Sequence, residues 1–212
     1  MIRKRGTCWL FISLVLCVLL GYTGMATGFF DRILVTRRRP ALLQQVDAAS
    51  DERPPDLEFL TQALSDPDWF VAAVAAEHIR LLQQSQQLTE DQEVMAIKSL
   101  LEALGSGGHW WRLGWDRDEA QFEQFKGAAI TAVSTFGPKA LDGLLTATNS
   151  ESPYQRKATC WIVLDMVRSG TVRKERLVER RILDRVYALA QNDRDADVRQ
   201  VCSYVYDVAK DE

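Results

Sequence analysis

The chain has 212 residues, 47% of them hydrophobic and 26% charged, which fits one folded domain with an appendage and excludes a disordered polymer. Its net charge of −3 is unevenly spread: residues 1–39 carry seven Lys/Arg and one acid, while residues 40–212 carry 19 bases against 28 acids, a net of −9. Such an acidic body excludes nucleic acid as a partner, because a phosphate backbone needs a basic face.

The chain opens with the short basic stretch 1–5, and residues 6–30 then hold no charge. That run is long enough to span a bilayer, which takes about 20 apolar residues. Trp9, Tyr22, Phe29 and Phe30 near its ends suit the interface, and Arg37, Arg38 and Arg39 follow as they would beside lipid headgroups. Residues 1–30 are therefore read as a transmembrane anchor, with membrane contact through residues 8–30 and the body exported across a bacterial inner membrane. The alternative is a signal peptide cleaved after Gly24-Met25-Ala26, which would leave a secreted or periplasmic protein. Residues 31–55 read as a basic juxtamembrane segment and linker, with a short helix beginning at Pro40 and a proline-stiffened stop at Pro54-Pro55.

From residue 56 to 212 helical periodicity is continuous and no useful strand alternation occurs. Leu57, Leu60 and Leu64 form a first stripe. Asp66 to Asp68 breaks it and caps a second helix, on which Val71, Val74, Ala75, His78 and Leu82 share a face. Thr89 and Gln92 have the spacing of a capping box, ahead of a stripe of Val94, Ile97, Leu101 and Leu104. Phe122, Phe125, Ala129, Ala132, Val133 and Phe136 follow, ended by Gly137-Pro138. Leu141, Leu144 and Leu145 begin the next pair. Residues 155–169 are apolar nearly all round, which marks a buried helix. Val178, Ile182, Val186 and Leu189 then pair with Val198, Val201, Cys202, Val205 and Val208.

The helix openings repeat. Asp66-Pro67-Asp68-Trp69-Phe70-Val71-Ala72 and Asp193-Arg194-Asp195-Ala196-Asp197-Val198-Arg199 share one pattern, and residues 150–159 form a weaker copy through Arg156. Self-similarity of this kind predicts stacked helix pairs, each covering its neighbour's apolar edge. The chain resembles HEAT repeats over about residues 56–210, in particular the bacterial form of phycobilisome-lyase-like repeat proteins. The resemblance is carried by residues 136–145 and by Asp66, Asp68, Asp193, Asp195, Val71, Val198, Arg156 and Arg199, with Ala72 and Lys126 standing where the family places an arginine. It implies an all-α, right-handed α–α superhelix of about four pairs, preceded by the apolar N-terminal helix. In such repeats the aspartates close and cap the interhelix turn, and the arginine bridges to the next repeat's acid. Asp116 and Asp118 lie too early for the second pair, so an extra turn or irregular loop is expected there.

Residues 105–116 are the one stretch that the repeat does not require. His109, Trp110, Trp111, Arg112 and Trp115 there are partner-binding candidates, since insertions in repeat proteins gather on a binding face and Trp and Arg anchor interfaces. The other reading is that the tryptophans fold back to seal the core. His78 reads as a satisfied core histidine, because a metal would need further ligands. The mixed charges of residues 173–185 read as a solvated helix face. Cys160 and Cys202 read as two free buried thiols, with a bridge as the alternative.

No catalytic, metal or cofactor set emerges. The expectation is a non-enzymatic, membrane-tethered scaffold that binds a protein partner. The resemblance also implies an alternative, a chromophore lyase or chaperone holding a flat conjugated ligand.

Overall fold

The computed structural model describes residues 29–106 and 116–211. The chain divides into two compact units, residues 1–40 and 41–212. Within the described residues there are ten α-helices and no strand: α1 (Phe29–Asp51), α2 (Leu57–Ala63), α3 (Trp69–Gln84), α4 (Glu90–Ser106), α5 (Asp116–Thr135), α6 (Leu141–Ala147), α7 (Pro153–Arg168), α8 (Lys174–Glu179), α9 (Ile182–Asn192) and α10 (Ala196–Asp211). A 3-10 turn at Gly137–Ala140 leads into α6. No described helix is long and apolar enough to cross a membrane. The proposed anchor falls on residues 8–30, almost all of which lie outside the described residues.

In the second unit the helices fall into two rows. Along one row α2 packs on α4, α4 on α6 and α6 on α9; along the other α3 packs on α5, α5 on α7 and α7 on α10. The reason is the width of the apolar stripes. Leu57, Leu60 and Leu64 of the first pair, Ile97, Leu100, Leu101 and Leu104 of the second, and Leu141 and Leu144 of the third are all buried, and one pair alone has too little surface to cover them. Gly143 lets α6 approach α4 closely, since a Cβ there would meet Ile97 and Leu101 at 3.1 Å. Gly137 takes the left-handed conformation (φ 55°) that ends the stripe of α5 and turns the chain.

The turns follow one design. In the first pair the Asp68 amide donates to Asp66 Oδ1 at 2.8 Å, and Asp68 Oδ1 accepts from the Phe70 amide at 3.1 Å. In the last pair the Asp195 amide donates to Asp193 Oδ1 at 2.8 Å, and Asp195 Oδ1 accepts from the Asp197 and Val198 amides at 2.9 and 3.1 Å. Ser150 repeats the first half of this in the third pair, accepting from the Ser152 amide at 3.1 Å. Each carboxylate satisfies amides that a helix start leaves without a partner. The capping box also forms, with the Thr89 amide donating to Gln92 Oε1 at 2.9 Å.

Several sequence expectations are corrected. Pro40 lies inside α1 rather than at a helix start; its ring removes one donor and crowds the carbonyl four residues back, yet the helix continues on both sides. Ahead of residue 56, Val46 and Ala49 of α1 are buried in the core of the second unit, with Leu42 and Leu43 packed against it. Val94 is 63% exposed and leaves its stripe, as does Val178 at 54%. Val178 is set apart because the chain breaks between α8 and α9 at Arg181, which adopts φ 58°. α5 runs from Asp116 to Thr135, and residues 107–115, where the extra turn or irregular loop is expected, lie outside the described residues.

Cys160 and Cys202 are bridged, not free. Both are fully buried, on the adjacent helices α7 and α10 with Cα atoms 5.6 Å apart, the usual spacing for a disulfide.

Candidate docking groove and the joints that hold it

The joint between the third and fourth pairs centres on Arg156 near the start of α7. Its side chain is 6% exposed and that of Asp193 is 3% exposed. Nε donates to Asp193 Oδ2 at 2.6 Å and Nη2 to Oδ1 at 2.7 Å, while Nη1 donates to the Ser150 and Glu151 carbonyls at 2.7 and 3.0 Å. The hydrogen bond from Arg156 holds the Asp193 carboxyl below the usual carboxylate range. Burial opposes that shift, and the Asp195 amide and the charges of Arg156 and Arg194 reinforce it. Arg199, the matching residue of the last pair, is half-buried, and its Nη1 donates to the Asp193 carbonyl at 2.6 Å. Val71 and Val198 are fully buried.

The second and third pairs are joined by Lys139, which pairs with the buried Glu93, and by Ser152 Oγ and Gln155 Nε2 donating to the Gly105 and Leu101 carbonyls at 2.7 and 2.8 Å. At the first joint Trp69 stacks on the fully buried Phe125, with ring centroids 5.3 Å apart. His78 contacts Asp47 of α1 at 2.9 Å, so it serves the packing of α1.

Two surface grooves stand out among the described residues. The larger, about 480 Å³, lies over the Arg156–Asp193 joint. Its polar walls satisfy one another: Arg194 Nη2 donates to the Glu151 carbonyl at 2.7 Å, and Arg185 bonds Asn149. The smaller, about 320 Å³, opens between α5 and α7 and is lined by Lys126, Ile130, Trp161, Leu164, Asp165 and Arg168, with Glu123 at its rim. Trp161 is half-buried, and its ring lies 6.1 Å from that of Tyr204, tilted by 55°. Arg168 Nη2 donates to the Tyr204 hydroxyl at 3.0 Å. Lys126 pairs with Glu123.

Trp161 and Tyr204 occupy the same place on α7 and α10, nine residues after Ser152 and after Asp195 respectively. The equivalent face of α3 carries Phe70 (40% exposed) and Leu81 (46%). The outer face of the α3–α5–α7–α10 row thus presents aromatic and aliphatic side chains at both ends. Trp161, Tyr204 and Asp165 are absent from the sequence-derived candidates. The matching positions of Trp161 and Tyr204 are the signal that finds those two. The candidates His109, Trp110, Trp111, Arg112 and Trp115 lie outside the described residues.

Comparison with known proteins returns no matching family model, no matching curated protein and no matching solved structure.

Proposed function

We propose that residues 56–212 form a HEAT-like α–α superhelix that scaffolds protein–protein contact, tethered to a membrane by residues 8–30 with its body in an oxidising, extracytoplasmic space. The stacking of helices in two rows supports the fold reading. The groove beside the half-buried Trp161 and the exposed Tyr204 carries the functional one, because aromatics held in place at a surface are the usual anchors of protein interfaces. The buried Cys160–Cys202 bridge supports the location, since disulfides persist in oxidising compartments and are rare in the cytosol.

Photo-cross-linking in native membranes tests the scaffold. A benzophenone side chain at Gln200, exposed and one turn from Tyr204, is expected to give a discrete protein adduct, and one at the exposed Lys98 of α4 is not. No adduct at Gln200, or equal labelling at both positions, removes the proposal. For the location, cells expressing a chain with Cys8→Ser and Cys17→Ser are acid-quenched and the protein is alkylated after unfolding; neither remaining cysteine is expected to be modified before reduction and both after it, and modification before reduction removes the location reading.

A further inference from the structure

The groove between α5 and α7 holds two acids and two bases that are unequally partnered. Glu123 and Lys126 neutralise each other. Arg168 is held by a neutral hydroxyl, that of Tyr204. Asp165 is half-buried, and among the described residues its carboxylate makes no ion pair and accepts no hydrogen bond. That carboxylate is therefore open to a cation from outside the chain, and a charge-assisted hydrogen bond to it is stronger than one between neutral groups.

The surroundings of Asp165 narrow which cation fits. Trp161 lies on the same helix one turn earlier, its ring braced by Tyr204, and an indole is the best aromatic platform for a cation. Ile130 and Leu164 add apolar wall, which suits an aliphatic stem with its charge at the tip. The volume, about 320 Å³, is at the low end for small-molecule pockets. The lining charges sum to zero, and the body as a whole is acidic, with a net charge of −9 over residues 40–212.

We infer that this groove takes a lysine or arginine side chain from the partner protein, its stem along Ile130 and Leu164, its cation over Trp161 and against Asp165. The inference rests on the scaffold reading and adds the chemistry of the contact.

The test uses the full chain in non-ionic detergent and a short fluorescein-labelled peptide of alanine and leucine with one central arginine. The comparison peptide carries citrulline, which keeps the shape and loses the charge. The arginine peptide is expected to bind about tenfold more tightly. Asp165→Asn removes that preference, whereas Glu102→Gln, an exposed acid of α4, leaves it. Arg168→Gln, which takes away a competing cation, strengthens arginine binding. Equal binding of the two peptides, or a preference that survives Asp165→Asn, overturns the inference. If cross-linking at Gln200 still succeeds in that case, the scaffold reading stands and only the cation site falls. If the peptide preference is present and no adduct forms, it is the scaffold reading that fails.

Discussion

The first and last joints of the stack solve one problem in different ways. At the first, Ala72, Ala76 and Ile79 are fully buried beside the Trp69–Phe125 pair. At the last, Arg156 occupies the place of Ala72, and the contact is a bidentate ion pair backed by a disulfide. Apolar packing is non-directional and tolerates small shifts. The guanidinium–carboxylate fork fixes orientation. The last joint therefore sets the angle between α7 and α10, and with it the spacing of Trp161 and Tyr204 across the face that carries the groove. Affinity for a partner is expected to depend more on the last joint than on the first.

The largest expected effect separates the two. Arg156→Ala leaves Asp193 buried without its cation and should cost about 3–5 kcal/mol in urea denaturation. Replacing both partners with apolar residues of similar size, Arg156→Met with Asp193→Leu, should recover most of that loss while loosening the orientation. The same pair predicts a pH dependence. The folded pKa of Asp193 is depressed, so its stabilisation is complete above the unfolded value of about 3.9 and is lost as pH falls through the folded one. In an acid titration followed by circular dichroism, wild type should lose more stability below about pH 4 than Arg156→Ala does. An identical acid profile for the two would mean that the pair does not govern the joint.

Next comes the covalent link. The bridge spans a sequence separation of 42, and for a loop of that size chain entropy predicts about 4 kcal/mol. Cys160→Ala with Cys202→Ala is expected to lower stability by about 2–4 kcal/mol, against no effect of reductant on that variant. The smallest effect is shared by both ends: Asp68→Ala and Asp195→Ala each remove a helix cap, for about 1 kcal/mol. A much larger loss at Asp68, whose side chain is the more deeply buried of the two, would show that the first joint is also held by directed polar contacts.

Helix identity was legible in the sequence wherever stripes were long and flanked by caps, as at Leu57–Leu64 and Thr89–Gln92. The alternation of openings at Asp66, Ser150 and Asp193 marked the turns. What escaped was whatever depends on how one helix is rotated against the next. Periodicity places Cys160 and Cys202 inside, but only the packing of α7 on α10 brings them together. It also ran Val178 into the stripe of Ile182, because nothing local announces the left-handed Arg181 between them. Trp161 was hidden in a helix apolar on every side, where the face that meets solvent is set by neighbours and not by pattern. Asp165 stood out only once its lack of a partner was visible.

The outward edge of the last pair has one more consequence. On α7 the edge carrying Arg156, Cys160 and Val163 is buried, and on α10 the matching residues are Arg199, Ser203 and Tyr206, of which Ser203 is exposed and the other two half-buried. Stacked units with a sticky edge at one end and an open one at the other add to each other without limit, giving fibres in place of discrete particles. Ser203 and Lys210 are exposed, and burying their polar groups against a second copy of the chain would cost free energy, which opposes that growth.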